Sequence, residues 1–236
     1  MTKSGVDQDT LIDMFAAASA QQGDKLRQAV AEATLKALQS REMTLENMRG
    51  VIKAVTQAAS AGVAKNPAPP ADIEAMLRKA FDGMDAALLK AVQAHHKALQ
   101  QLMDQGAGLR DTQLKAALDS VDKMEDMLFA TVGKVVKEAA APVQGPWQQV
   151  LQTMKLQGTA TGAGATQTVE QLMAQTQDTL RKSRAASLRA TQVLMDSYAT
   201  MVSGVLIGMS EGLGAAAATA PPAPAAGAAG KSTSKP

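Results

Sequence analysis

The stretch DIEAMLRKAFDGMDAALLKAVQAHHKALQQLMDQ, residues 72–105, decides the fold. Within it Leu77, Phe81, Met84, Leu88, Ala91, His95, Ala98 and Leu102 recur at alternating intervals of four and three. An α-helix turns once every ~3.6 residues, so this spacing lays all of them along one stripe. A half-buried strand would alternate with period two, and nothing here does. The stripe reads as a heptad seam that must be covered by another helix. Gly106-Ala107-Gly108 stops it, and a second helix is predicted from Asp111 to Ala141. Its seam is Leu114, Leu118, Val121, Glu125, Leu128, Val132 and Val135, with Glu125 the one acidic interruption. So short a link predicts an antiparallel helical hairpin over 72–141.

Toward the N-terminus, Lys65-Asn-Pro-Ala-Pro-Pro70 interrupts helix and reads as a stiff spacer over 63–71. Before it lies a helical pair over 1–62. Leu11, Phe15, Ala18, Gln22, Leu26, Ala29, Ala33 and Ala37 mark one helix from Asp9 to Ser40, with Gly23 as a possible kink point. Thr44 reads as the N-cap of the next, whose apolar line is Met48, Ile52, Val55 and Ala59. Toward the C-terminus, Pro142 and Pro146 begin a broken linker over 142–167. It holds a short helix from Trp147 to about Leu156 and a Gly/Thr/Ala connector at 158–166. A long amphipathic helix is predicted over 168–214. The Ala/Pro/Gly tail, 215–236, has almost nothing to bury and reads as disordered.

Composition agrees with an all-α fold of helical hairpins or an elongated bundle. Apolar residues make up 46% of the 236, yet aromatics are only 2%, and alanine and 14 methionines carry much of the count. Alanine buries little area, and large aromatics normally dominate core energetics. The expectation is a loosely packed or extended assembly rather than a tight globule. With no cysteine, disulfides and thiolate metal sites are excluded. No signal-like apolar run follows Met1. The 24 basic and 22 acidic residues nearly cancel, which gives no broad field for nucleic acid.

No constellation points to catalysis, and neither a cofactor nor a metal is expected. His95 and His96 are adjacent, so their rings diverge by ~100° on a helix, whereas metal-binding helices use i and i+4. His95 reads as a polar seam residue with a possible pH-sensitive role in register. Asp122, Glu125 and Asp126 read as a solvated acidic face. Arg181, Lys182, Arg184 and Arg189 form a small basic stretch, solvated or facing anionic headgroups. No phosphate-binding loop, dinucleotide fingerprint or zinc-helix motif appears.

Near the C-terminus, Gly204, Gly208 and Gly212 fall one helical turn apart in S203-G-V-L-I-G-M-S-E-G-L-G214. Glycines four apart let another helix approach closely, and each costs ~1 kcal/mol against alanine in a helix. The stripe therefore calls for a packing partner: another helix, another copy, a lipid-like surface, or the chain's own hairpin. Residues 198–220 hold only one charge, Glu211, and are long enough to span a bilayer.

Taken together, the Ala/Gln/Met-rich amphipathic helices resemble phasins, the proteins that coat polyhydroxyalkanoate granules in bacteria. The resemblance rests on Gln148-Gln-Val-Leu-Gln-Thr-Met-Lys155 and Gln171-Leu-Met-Ala-Gln-Thr-Gln177. It rests also on the tail, Ala215-Ala-Ala-Ala-Thr-Ala-Pro-Pro-Ala-Pro224 and Lys231-Ser-Thr-Ser-Lys-Pro236. It covers residues 111–236 and implies a non-catalytic surface coat of the bacterial cytoplasm that oligomerises through coiled coils. On that reading Leu77, Phe81, Met84, Leu88 and Leu102 pair helices. Val202, Val205, Leu206, Ile207 and Met209 contact an apolar polymer granule or lipid-like surface; the close packing expected of Gly204, Gly208 and Gly212 comes from their spacing and not from the resemblance. Two alternatives stay open: a coiled-coil scaffold for another protein, and a C-terminal membrane anchor.

Overall fold

The computed structural model describes residues 6–18, 22–104, 111–182, 198, 201–207 and 209, and among these every regular element is an α-helix. The helices are α1 (Gln8–Ala17), α2 (Gly23–Gln39), α3 (Leu45–Lys65), α4 (Pro70–Asp104), α5 (Asp111–Glu138), α6 (Ala141–Gln157) and α7 (Ala160–Lys182). A further helical stretch covers 201–207. The fold is all-α, as the periodicity predicts.

Short polar residues set several boundaries. Asp7 accepts a hydrogen bond from the Thr10 amide at 3.1 Å and starts α1. Thr44 does the same for Asn47 at 3.2 Å and starts α3, as its place in the sequence suggests. Asn66 closes the other end of this pair. Its side-chain amide donates to the carbonyls of Phe15 at 2.8 Å and Ala18 at 2.9 Å, tying the end of α1 to the end of α3. Proline suits the first turn of a helix, where its missing N–H costs nothing, and α4 begins at Pro70.

α4 is the helix on which the others assemble. α2 lies parallel to it, with Gly23 beside Lys79 and Gly83 against Arg27 and Val30. α7 is also parallel, with Thr161 at Asp85 and Gly164 at Leu89. α5 runs antiparallel, with the Phe81 and Phe129 rings 5.5 Å apart at one end and Leu99 clustered with Leu118 at the other. α3 is antiparallel too, placing Thr56 at Met84 and Asn66 at Met76. α6 meets α3 through Trp147, whose Nε1 donates to Ser60 Oγ at 2.9 Å.

This arrangement corrects several expectations. The proline spacer bends the chain without dividing the packing, since α1, α2 and α3 share one core with α4. The single helix expected over Asp9–Ser40 is two. Ala18 is extended, with φ −71° and ψ 151°, and the restart at Gly23 moves the buried stripe to Leu26, Val30, Thr34 and Leu38. The break expected at Pro142–Pro146 is helical. Pro142 sits in the first turn of α6, and Gln144 reaches back to the Ala139 carbonyl at 2.8 Å. The connector expected over 158–166 is helix from Ala160 onward, because Asp85 and Thr159 cap it. The tail at 215–236 lies outside the described residues, as does most of 183–200 within the expected long helix.

The expectation of loose packing also gives way. Phe15, Phe81 and Trp147 are fully buried in a continuous core, filled largely by Leu, Val, Met and Ala. Small residues gain packing by letting helices approach, and two glycines show it. A methyl on Gly62 would stand 2.5 Å from both the Ile12 carbonyl oxygen and Phe15 Cβ; on Gly83 it would stand 2.6 Å from the Arg27 carbonyl oxygen. Gly62→Ala is therefore expected to destabilise the chain by about 1–2 kcal/mol, overpacking at the α1–α3 crossing outweighing the helix preference of alanine. Gly50, also on α3, has nothing within 4 Å of such a methyl, and Gly50→Ala is expected to stabilise by up to ~1 kcal/mol. Urea unfolding of the two variants checks the opposite signs.

Candidate functional site

The C-terminal helical stretch packs back onto the bundle. Tyr198, Val202 and Leu206 are spaced by four and share a face. Val202 and Leu206 are buried in the main core, and Tyr198, Met201 and Val205 are partly buried against it. Polar contacts among the described residues fix the register. The Tyr198 hydroxyl lies 2.6 Å from His95 Nδ1 on α4. Ser203 Oγ donates to the Arg41 carbonyl at 3.4 Å, and Gln39 Nε2 donates to the Leu206 carbonyl at 3.5 Å. On the outer face Ile207 is 38% exposed, and Gly204 is exposed with nothing within 4 Å of where a Cβ would stand.

The predicted contact residues thus divide. Val202 and Leu206 face the chain's own core, Val205 and Met209 are half-buried, and Ile207 faces outward. Gly204 does not pack closely, because the stretch turns its larger side chains inward and leaves the glycine on the open side. Gly208 and Gly212 lie outside the described residues. Leu77, Phe81, Met84, Leu88 and Leu102 are fully buried, the first four within the main core shared by helices of the same chain. The seam pairs helices within one molecule, so it is not open to a second copy.

His95 is the polar member of that seam, buried on α4, with its ring centroid 5.7 Å from that of Tyr198. Its Nε2 is buried without a hydrogen-bond partner. Burial pushes its pKa down to about 4, and burial likewise raises that of Tyr198. His96 is half-buried, and its pKa is lowered by the same cause.

A second polar cluster lies where α7 begins. Buried Asp85 accepts from the amides of Ala160 at 2.8 Å and Thr161 at 2.9 Å, and Thr161 Oγ1 donates to the Asp85 carbonyl at 2.9 Å. Thr159 Oγ1 donates to Glu125 Oε1 at 2.6 Å and accepts from the Gly162 amide at 2.9 Å. Two carboxylates thus meet the positive end of a helix, where free amides and the helix dipole both favour negative charge. Glu125, the acidic interruption of the α5 seam, is explained by this contact. Asp122 and Asp126 beside it are exposed. Sequence reasoning missed Asp85 and Thr159. Asp85 lies next to the seam residue Met84, but its partners stand about 75 positions away and leave no local signature.

Besides Ile207, two large apolar side chains stand exposed among the described residues: Leu156 at 83% on α6 and Met173 at 54% on α7. No helix among the described residues is long and apolar enough to cross a membrane. The side chains of Arg181, Lys182, Arg184 and Arg189 lie outside the described residues.

A family profile matches residues 1–215, every described helix included. The chain belongs to DUF6781, a family of unknown function. The DUF6781 match ends where the Ala/Pro/Gly tail begins. Neither the curated proteins nor the solved structures give a match.

Proposed function

We propose that this DUF6781 chain is a non-catalytic helical protein that binds an apolar surface as a phasin-like coat. In this reading the 198–209 stretch is the part that leaves the bundle for the surface. One observation carries the reading. The large apolar side chains standing exposed among the described residues, Leu156, Met173 and Ile207, all fall in the region that resembles phasins. Leu156 directly follows one of the quoted Gln/Met stretches and Met173 lies within the other. The docked 201–207 stretch would expose Val202, Val205 and Leu206 as well on release. Fully burying an exposed side chain of this size contributes about 1.5–3 kcal/mol, so covering Leu156, Met173 and Ile207 favours the bound form, while Val202 and Leu206 exchange one apolar contact for another. Amphipathic helices bind interfaces in this way, in proportion to the apolar area they bury.

Oligomerisation through the 77–102 seam loses its support, since that seam is covered from within the chain. The reading is tested by sedimenting the purified chain with polyhydroxyalkanoate particles, with liposomes, or alone. Pelleting with the polymer is expected. Deleting 198–220 is expected to cut the bound fraction at least about tenfold, the equivalent of ~1.4 kcal/mol. Unchanged partition after the deletion rejects the reading.

A further inference from the structure

We propose that His95 and Tyr198 form a pH-sensitive latch, which holds the 198–209 stretch on the bundle at neutral pH and releases it when His95 is protonated. The geometry carries the argument. The Tyr198 hydroxyl, 2.6 Å from His95 Nδ1, makes the shortest of the polar contacts described for the docked stretch. With neutral imidazole, Nδ1 and the hydroxyl satisfy one another. Protonation makes both ring nitrogens donors. Nδ1–H can still donate to the phenol oxygen, but Nε2 is buried without a partner, so the new charge would have neither water nor an acceptor there. Buried charges of that kind are strongly disfavoured unless paired. The relief available to the chain is to lift Tyr198 and admit water.

No charged group in the described structure takes the place of a counter-ion. On α4, Lys90 and His96 are half-buried, Lys97 and Asp104 are exposed, and the buried carboxylate of Asp85 lies ten residues away, about 15 Å along a helix. On α2 and the loop after it, Glu32 and Lys36 are exposed and Arg41 is half-buried. On α3, Glu46, Arg49 and Lys53 are exposed. Lys115, Asp119 and Asp122 on α5, Lys155 on α6 and Glu170 on α7 are exposed as well. Leu99, Leu118 and Leu172 form the apolar cluster against which Tyr198 packs. Among the described residues, burial is what lowers the titration of His95.

The sign follows from linkage. A histidine whose pKa is lowered in the docked state binds fewer protons there than when released. Docking is thus at full strength above the ordinary value of ~6.5 and weakens as pH falls toward the docked value. With the docked ring at about 4, going from pH 7.5 to pH 5 multiplies the released-to-docked ratio about 30-fold.

The latch is read in solution with no surface present, so it fails or holds separately from the surface-binding proposal. Hydrogen exchange of the full chain is followed at pH 7.5 and pH 5, corrected for the intrinsic pH dependence of exchange. The expected result is a loss of protection of about 30-fold confined to peptides covering 201–207. His95→Gln and His95→Leu, which cannot gain the charge, are expected to abolish the pH response, and His96→Gln to keep it. If neither His95 variant folds, NMR of the unmodified chain serves, with Tyr198 ring signals expected to move in step with the His95 titration. The proposal is overturned by protection that does not change with pH, by a loss spread over all helices, by a response that follows His96, or by Tyr198 signals that ignore His95.

Discussion

Phe81→Ala is expected to lower the unfolding free energy by about 3–5 kcal/mol, the range for removing a buried phenylalanine ring. The ring has no exposed surface, stands toward the N-terminal end of the α4 seam, and lies 5.5 Å from the Phe129 ring at a tilt of 36°. In a chain so poor in aromatics each ring fills volume that alanine and methionine cannot. Methionine is flexible enough to collapse partly into such a gap, and Met84 lies one turn away on the same stripe. That relaxation favours the lower half of the range. Phe129 is only half-buried and partly covered by Lys155, whose Nζ is 5.8 Å from the ring centroid. Phe129→Ala is therefore expected to cost less than Phe81→Ala. Urea unfolding of both variants checks the order, and a loss below ~1 kcal/mol at Phe81 contradicts a core centred on α4.

Asp85→Ala is expected to destabilise by about 2–3 kcal/mol, the sum of a lost helix cap and a buried amide left without an acceptor. Both oxygens of Asp85 are used, one by the Ala160 amide and one by the buried Thr161 amide. Water can rehydrate the partly exposed first contact more readily than the second. The effect should be directional: α7 loses hydrogen-exchange protection over 160–172, while α1–α3 keep theirs. Asp85→Asn leaves one side-chain acceptor and is expected to cost about half as much. Equal loss across all helices would show that Asp85 supports the bundle generally rather than the start of α7.

The central helix was legible because its periodicity is long and unbroken, and Leu77, Phe81, Met84, Leu88 and Leu102 all lie in the core. α3 was legible for the same reason, with Thr44 marking its start. What periodicity does not carry is the identity of the covering helix. α4 buries residues off its predicted seam as well, among them Ala80, Val92, Ala94 and Leu99, because it is covered on several sides. α7 began within a stretch whose composition reads as loop. Its first turn is held by Asp85 and Glu125, residues distant in sequence, so local propensity loses to tertiary contacts. The candidate site was legible in part. The apolar run at 202–207 was marked by composition, but its docked side was not. The inward face is set by Tyr198 meeting His95, a contact across about 100 positions. Gly204 was misread for a related reason: close approach falls at Gly62 and Gly83, where helices cross, and not at Gly204, while Gly208 and Gly212 lie outside the described residues.

The central claim, that 198–209 leaves the bundle to bind an apolar surface, is tested most directly by stapling that stretch in place. The chain has no cysteine of its own, so a pair introduced as Arg41→Cys and Ser203→Cys can form only one internal disulfide. Ser203 Oγ already lies 3.4 Å from the Arg41 carbonyl. Binding of the oxidised and reduced forms to polyhydroxyalkanoate particles is then compared by sedimentation. The expected result is weak binding when oxidised and full binding restored by reduction. Equal binding in both forms would show that the stretch need not move, and the account would be wrong.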